Sequence, residues 1–130
     1  MKSIFLSIAA LTVGFSSASA VPMGEKTYRQ VCMVCHTSGV ANAPKIGDNA
    51  RWAPLIAEGQ VIITAHGYVG VRAMPPKGGK PDLSIADFSA AINYMVNQSG
   101  GNWKTPEINM MIAIKEEIIA RELTQNNPKK

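Results

Sequence analysis

Cys32-Met33-Val34-Cys35-His36 is the stretch on which the reading of this chain turns. It is a C-x-x-C-H run, and it reads as a site for covalent attachment of a c-type haem. Two thiols separated by two residues lie about one helical turn apart. That spacing suits the two vinyl groups on one porphyrin edge, where Cys32 and Cys35 can each form a thioether. His36 follows directly, so its imidazole can reach the iron from the same side. One short segment then supplies two covalent anchors and one axial ligand. Two other readings of these residues stay open here: a dithiol redox pair, and half of a zinc site. A thioredoxin-like pair belongs in an α/β pattern, which the surrounding sequence does not carry. A structural zinc site needs four ligands, and only His66 remains among Cys and His.

The residues ahead of the motif support the haem reading. Lys2 gives a positive start, Ile4 to Phe15 is apolar, and Ser16-Ser17-Ala18-Ser19-Ala20 ends in a small-x-small site. This is the pattern of a secretory signal cleaved after Ala20, so residues 1–20 are set apart from the fold. The apolar stretch is short for a membrane anchor. Export to the periplasm agrees with thioether attachment, which takes place outside the cytoplasm. The chain has 130 residues, 6% of them aromatic, which allows one small domain with a limited core of its own. A buried haem would stabilise such a domain, as metals and disulfides do for other small scaffolds. The formal charge is +4, and the cations are dispersed rather than set in a stripe with aromatics. No nucleic-acid partner is expected.

Periodicity predicts a mostly helical chain. Tyr28, Val31, Cys32 and Cys35 share one face of a helix over 24–35, so the thiols and the core contacts lie together. Residues 37–50 read as a loop. Arg51 to Glu58 reads as a short helix whose start is restricted by Pro54, since proline is best tolerated in a first turn. Gln60 to His66 is apolar and β-branched, and helix and strand both remain open before Gly67 and Gly70 break it. Residues 72–82 form a loop rich in Pro and Gly. Ser84 is an N-cap with Asp87 three residues later. The helix it starts runs to about Gln98, with Ile85, Phe88, Ile92 and Met95 as its stripe. Met74 stands out among the methionines. It sits between Ala73 and two prolines in a stiff loop, which can hold a thioether at bonding distance with little ordering cost. A soft, uncharged thioether favours ferrous iron and raises the potential.

With these motifs in hand, the chain resembles the class I cytochromes c of the cytochrome c5-like group, over about residues 24–98. The resemblance is carried by Cys32-x-x-Cys35-His36, Ala43-Pro44-Lys45-Ile46-Gly47-Asp48, Arg51-Trp52-Ala53-Pro54-Leu55-Ile56, Ala73-Met74-Pro75-Pro76-Lys77-Gly78-Gly79, and a last helix containing Tyr94. It implies an all-α fold of about four to five helices around one covalently bound haem. It implies His36 and Met74 as the iron ligands and a Pro44 carbonyl that accepts the His36 Nδ1–H. Trp52 either donates its indole N–H to a haem propionate or simply packs in the core. His66 is either a competing ligand or propionate partner, or an ordinary helix-end histidine. Lys45, Arg72, Lys77 and Lys80 would flank the haem edge, solvating a surface or steering an acidic partner. Some members carry a second C-x-x-C after the methionine loop; Lys80 and Leu83 stand there instead.

The division expected is a signal over 1–20, a cytochrome domain over 21–101 and a helical extension over 102–130. The extension falls outside the resemblance. Thr105-Pro106-Glu107 reads as a helix start, followed by Ile108, Met111, Ile112, Ile118 and Ile119 on one face with Met110, Ile114 and Leu123 beside it. Charges interrupt it too soon for a membrane span. It either packs back on the domain or serves as a docking or dimer helix. The function expected is single-electron transfer between redox partner proteins, because iron bound by both His36 and Met74 has no open position. The alternatives are a haem gas sensor, should Met74 not bind iron, and a haem subunit docked to a dehydrogenase or oxidase.

Overall fold

The computed structural model describes residues 21–127; the signal sequence expected over 1–20 lies outside the described residues. Helix α1 (Met23–Thr27) passes through a π-helical turn (Tyr28–Cys32) into α2 (Met33–Ser38). Then come a 3₁₀ turn (Val40–Asn42), α3 (Asn49–Glu58), α4 (Gln60–Val69), a second 3₁₀ turn (Pro76–Gly79), α5 (Ile85–Asn97) and α6 (Ile108–Asn126). Counting α1 to α2 as one continuous helix, the described residues hold four helices around one core and a fifth that follows them. The expected all-α architecture is therefore the observed one.

The first helix crosses α5. Buried Gly24 makes the crossing close, because a Cβ there would overlap the Ala90 carbonyl. The Tyr28 and Tyr94 rings meet one turn on, with centroids 5.3 Å apart. The core gathers Tyr28, Cys32, Trp52, Ile63, Leu83, Phe88, Ile92, Met95 and Val96, with Met74 packed against it. Cys32 thus lies on the core face of the first helix, as the periodicity predicts, while Cys35 is half-buried and outside this cluster.

Two boundaries here differ from the sequence expectation. Helix α3 starts at Asn49, because the Asp48 side chain accepts the Arg51 N–H at 3.1 Å and caps it. Pro54 therefore lies inside the helix rather than in its first turn. The β-branched run 60–66 is helical and continues through Gly67 to Val69. Both faces of α4 are covered, and that packing overrides the weak helix propensity of its β-branched residues. It stops at Gly70, whose φ of 91° is open to glycine but costly for other residues. At α5 the expected cap is present: Ser84 Oγ accepts the Asp87 N–H at 3.0 Å and donates to the Asp87 carboxylate at 2.7 Å.

The extension packs back on the domain. Helix α6 lies along α4, burying Ile114 and Ile118 against Ala65 and Val69, with Met111 and Val61 at the edge. Each of these isoleucines contributes roughly 1.5–3 kcal/mol by burial. The linker before α6 is fixed by three amides. The Lys104 carbonyl accepts from Gln60 at 2.9 Å and from Asn93 at 2.8 Å, and Asn97 exchanges two bonds with the Trp103 backbone. Helix α6 starts at Ile108, three residues after the expected cap at Thr105. The expected single apolar face is split. Met111, Ile114 and Ile118 turn to α4, while Ile108, Ile112, Ile119 and Leu123 stay exposed.

Candidate functional site

The motif lies where the first helix is locally underwound. The π turn over Tyr28–Cys32 ends at Cys32, and α2 carries Cys35 and His36. Such turns recur at functional sites because one extra residue re-aims the side chains that follow. The Tyr28 hydroxyl and Thr37 Oγ1 lie 2.6 Å apart and span the turn.

The loop after α2 is bound to His36 twice. The Ile46 N–H donates to the His36 carbonyl at 2.7 Å. The His36 Nδ1 lies 2.8 Å from the Pro44 carbonyl oxygen. A carbonyl only accepts, so Nδ1 carries the hydrogen and Nε2 keeps its lone pair. The loop is held from behind as well, by the Gly47 N–H donating to buried Ser99 Oγ at 2.9 Å. The ring of His36 sits 6.2 Å from that of Trp52.

Trp52 lies in the core. Its indole N–H donates to the Lys45 carbonyl at 2.8 Å, and the residue is only 2% exposed. The donor is already engaged with backbone, so Trp52 acts here as a packed wall beside His36 and as a tie on the Lys45 segment.

Met74 is placed by backbone. Val71 N–H donates to the Met74 carbonyl at 3.1 Å, and Met74 N–H donates to the Val71 carbonyl at 2.9 Å. This tight turn puts Arg72 at a φ of 54°. Pro75 and Pro76 follow at once, and Gly78 N–H returns to the Pro75 carbonyl at 3.1 Å. The Met74 side chain joins the cluster that holds Cys32 and Trp52, and its methyl lies beside Gly67 and Phe88. Gly67 is needed there: a Cβ would come within 2.8 Å of the buried Phe88 ring.

His66 is not brought to this site. It lies towards α6, with Nδ1 3.7 Å from Glu58. Partial burial, together with the Arg121 guanidinium, holds it below the ordinary histidine value, against the pull of Glu58 and Glu117. The four flanking cations are not equivalent. Lys77 donates to the Pro81 carbonyl at 2.7 Å and lies 4.8 Å over the Tyr68 ring, and Lys80 pairs with Asp82.

The donor set fits a covalently held haem. The fixed tautomer of His36 leaves Nε2 for iron. Cys32 and Cys35 are unpaired, and burial pushes the Cys32 thiol up to about 11, with Cys35 adding to it. A thiol kept protonated by burial is a poor nucleophile for disulfide exchange. Among the described residues, no three His, Cys, Asp or Glu side chains converge on a bare metal ion. A thioether on each sulfur removes the ionisation question altogether.

Residues missed by the sequence reading are polar ones that hold the frame. Ser99 holds the Pro44 loop, and Gln60, Asn93 and Asn97 hold the linker. The signal was available: Asn93 and Asn97 are spaced i, i+4 on a largely apolar helix, and a buried amide such as that of Asn93 needs a partner.

A helical domain that sets Cys-x-x-Cys-His beside a backbone-pinned methionine defines a haem-bearing redox protein. Comparison with known proteins narrows the class. The family model described as "Cytochrome C oxidase, cbb3-type, subunit III" matches residues 19–95. Cytochrome c-555 of Chlorobaculum thiosulfatiphilum is 46% identical over 80 residues, 58% of this chain and 93% of that protein. Cytochrome c5 of Azotobacter vinelandii is 39% identical over 74 residues, 55% of this chain and 89% of that protein. A solved electron-transfer complex of nitrite reductase with cytochrome c matches with a TM-score of 0.58 and 48% identity, covering 61% of this chain and 96% of that one. A mono-haem ferrocytochrome c from Shewanella putrefaciens gives 0.52 and 38%, covering 59% and 95%. The chain belongs to this family, as a class I c-type cytochrome of the cytochrome c5-like group. It carries one covalently bound haem c with its iron, and it transfers electrons rather than catalysing a reaction. The family match ends at residue 95, so α6 lies beyond it.

Proposed function

We propose that Cys32 and Cys35 hold the haem, that His36 Nε2 and Met74 sulfur are its two axial ligands, and that the chain is an exported carrier working in the periplasm. The haem supplies the one-electron ferrous–ferric couple. The chain's residues hold its surroundings still. Pro44 fixes the ring of His36, Trp52 walls it, and the Val71–Met74 turn fixes the other ligand. The observation that carries the reading is the 2.8 Å contact of His36 Nδ1 with the Pro44 carbonyl, since it orients the ring and leaves Nε2 available for the metal.

The division into a signal over 1–20, a cytochrome domain over 21–101 and an extension over 102–130 belongs to the same proposal. Supporting it are the small-x-small site at Ala20, the end of the family match, and the amide-held linker. Among the described residues, no helix is long and apolar enough to cross a membrane. Partners are redox proteins; a nitrite reductase is a concrete candidate, because a similar cytochrome is solved in complex with one.

A potentiometric titration of the mature holoprotein tests this. The expected result is one n = 1 wave whose midpoint falls when Met74 becomes alanine, because a soft thioether favours ferrous iron. A ferrous wild type that binds carbon monoxide rapidly, with a midpoint indifferent to Met74→Ala, would make the protein a gas-binding haem protein instead.

A further inference from the structure

Helix α6 has two apolar stripes and the domain uses one. Ile108, Ile112, Ile119 and Leu123 are 73%, 49%, 47% and 65% exposed. At about 100° per residue they fall within about 60° of one another, and their centre lies about 120° round the helix from the Met111, Ile114, Ile118 stripe. They form a band of two apolar pairs, Ile108 with Ile112 and Ile119 with Leu123, together on the order of 400 Å² and separated by about 10 Å of rise. Apolar area of that size on a small domain is often functional. The surface is presented rigidly, because Gln60, Asn93 and Asn97 lock the linker and Ile114 and Ile118 anchor the helix.

Charge around the band selects its occupant. Lys115 and Glu116 border it on opposite sides, near mid-length, with about 1.5 Å of rise between them. Both are exposed, and neither enters an ion pair among the described residues; the helix's own pair is Arg121–Glu117. We propose that this band is the interface of a homodimer, in which two α6 helices pair in parallel about a two-fold axis running along them. In that arrangement each residue of the band meets its own copy, Ile112 on Ile112 and Ile119 on Ile119. The left border of one helix faces the right border of the other. Lys115 therefore meets Glu116 of the second copy, and Glu116 meets its Lys115. An antiparallel pairing would instead set Lys115 against Lys115 and Glu116 against Glu116. The parallel two-fold also carries the two haem domains to opposite sides, since each sits behind its own helix. With both copies covered, the buried area is about 800 Å², below that of stable interfaces, so the dimer is weak and reversible and forms only at high concentration.

Sedimentation velocity of the mature holoprotein, run from low micromolar to millimolar, is the test. Wild type is expected to pass from monomer to dimer. Ile119→Glu should remain monomeric with an unchanged haem spectrum, because that side chain touches neither the core nor the site. Lys115→Glu should weaken the dimer about tenfold, from two lost pairs and two like-charge contacts. Adding Glu116→Lys should restore it. A wild type that is monomeric throughout overturns the proposal, and so does a dimer indifferent to Ile119→Glu. A swapped double variant no tighter than the single one overturns the parallel arrangement. Binding of monomer to neutral phosphatidylcholine vesicles, lost in Ile119→Glu, would assign the band to lipid and equally overturn it.

Discussion

Gly24→Ala isolates the contact on which the helix frame depends. Gly24 is buried where α1 crosses α5. An added Cβ would fall on the Ala90 carbonyl oxygen, 2.9 Å from its carbon and 3.2 Å from Tyr94 Cβ. None of these atoms ends a flexible side chain, so relief requires α1 and α5 to move apart. The substitution gains up to about 1 kcal/mol of helix propensity. Overpacking against fixed neighbours costs about 1–3 kcal/mol, and moving backbone puts this case at or beyond the upper end. The net loss is about 2 kcal/mol, or a fall in Tm of about 8–15 °C for a domain near 100 residues. Far-UV circular dichroism on heating the mature holoprotein reads this directly, and the absorption spectrum reports whether His36 and Met74 remain in place. A Tm that is unchanged or raised would mean that only the propensity term acts. The two helices would then not cross at Gly24, and the frame described for the site would be wrong.

Other expectations follow from single contacts. Gly67→Ala would drive a methyl against buried Phe88 beside the Met74 methyl, so it should weaken or abolish the weak near-red absorption band of methionine-bound ferric haem more than it lowers Tm; an intact band with a large loss of Tm would contradict that. Ser84→Ala removes the N-cap of α5 and should cost about 1 kcal/mol, measured by denaturant unfolding. His66 is held below its ordinary value, so the unfolded chain takes up the proton first as pH falls. Stability should therefore drop as pH is lowered through about 6.5, the unfolded value, and level off below the folded value. His66→Gln should flatten that slope, and an unchanged slope would place its origin elsewhere. Ile114→Ala opens the α4–α6 contact and should cost about 2–4 kcal/mol in the same unfolding experiment.

The centre of the molecule was legible in the sequence because its chemistry constrains both spacing and order. Two cysteines and a histidine in five residues admit few uses, and an export signal and a methionine between prolines narrow them further. The expected Pro44 contact is present because a carbonyl two residues past a short loop can reach back to Nδ1 of His36. What the sequence left open depends on contacts distant along the chain. Gln60 to His66 reads equally as helix or strand, and only Phe88 on one face and Ile114 and Ile118 on the other decide for helix. The contact of the Trp52 N–H with the Lys45 carbonyl, seven residues back, has no signature in the sequence. The division of α6 into an inward and an outward stripe could not be read from periodicity, because its apolar residues cover too wide an arc for one neighbour.

The central claim is that His36 and Met74 together close the iron of this cytochrome. It is tested most directly by the absorption spectrum of the ferric mature holoprotein beside its Met74→Ala variant. The account predicts a low-spin haem c with the weak near-red sulfur-to-iron band in the wild type, and loss of that band in the variant with the thioethers at Cys32 and Cys35 intact. A wild-type spectrum without the band, or a variant that keeps it, would contradict the account.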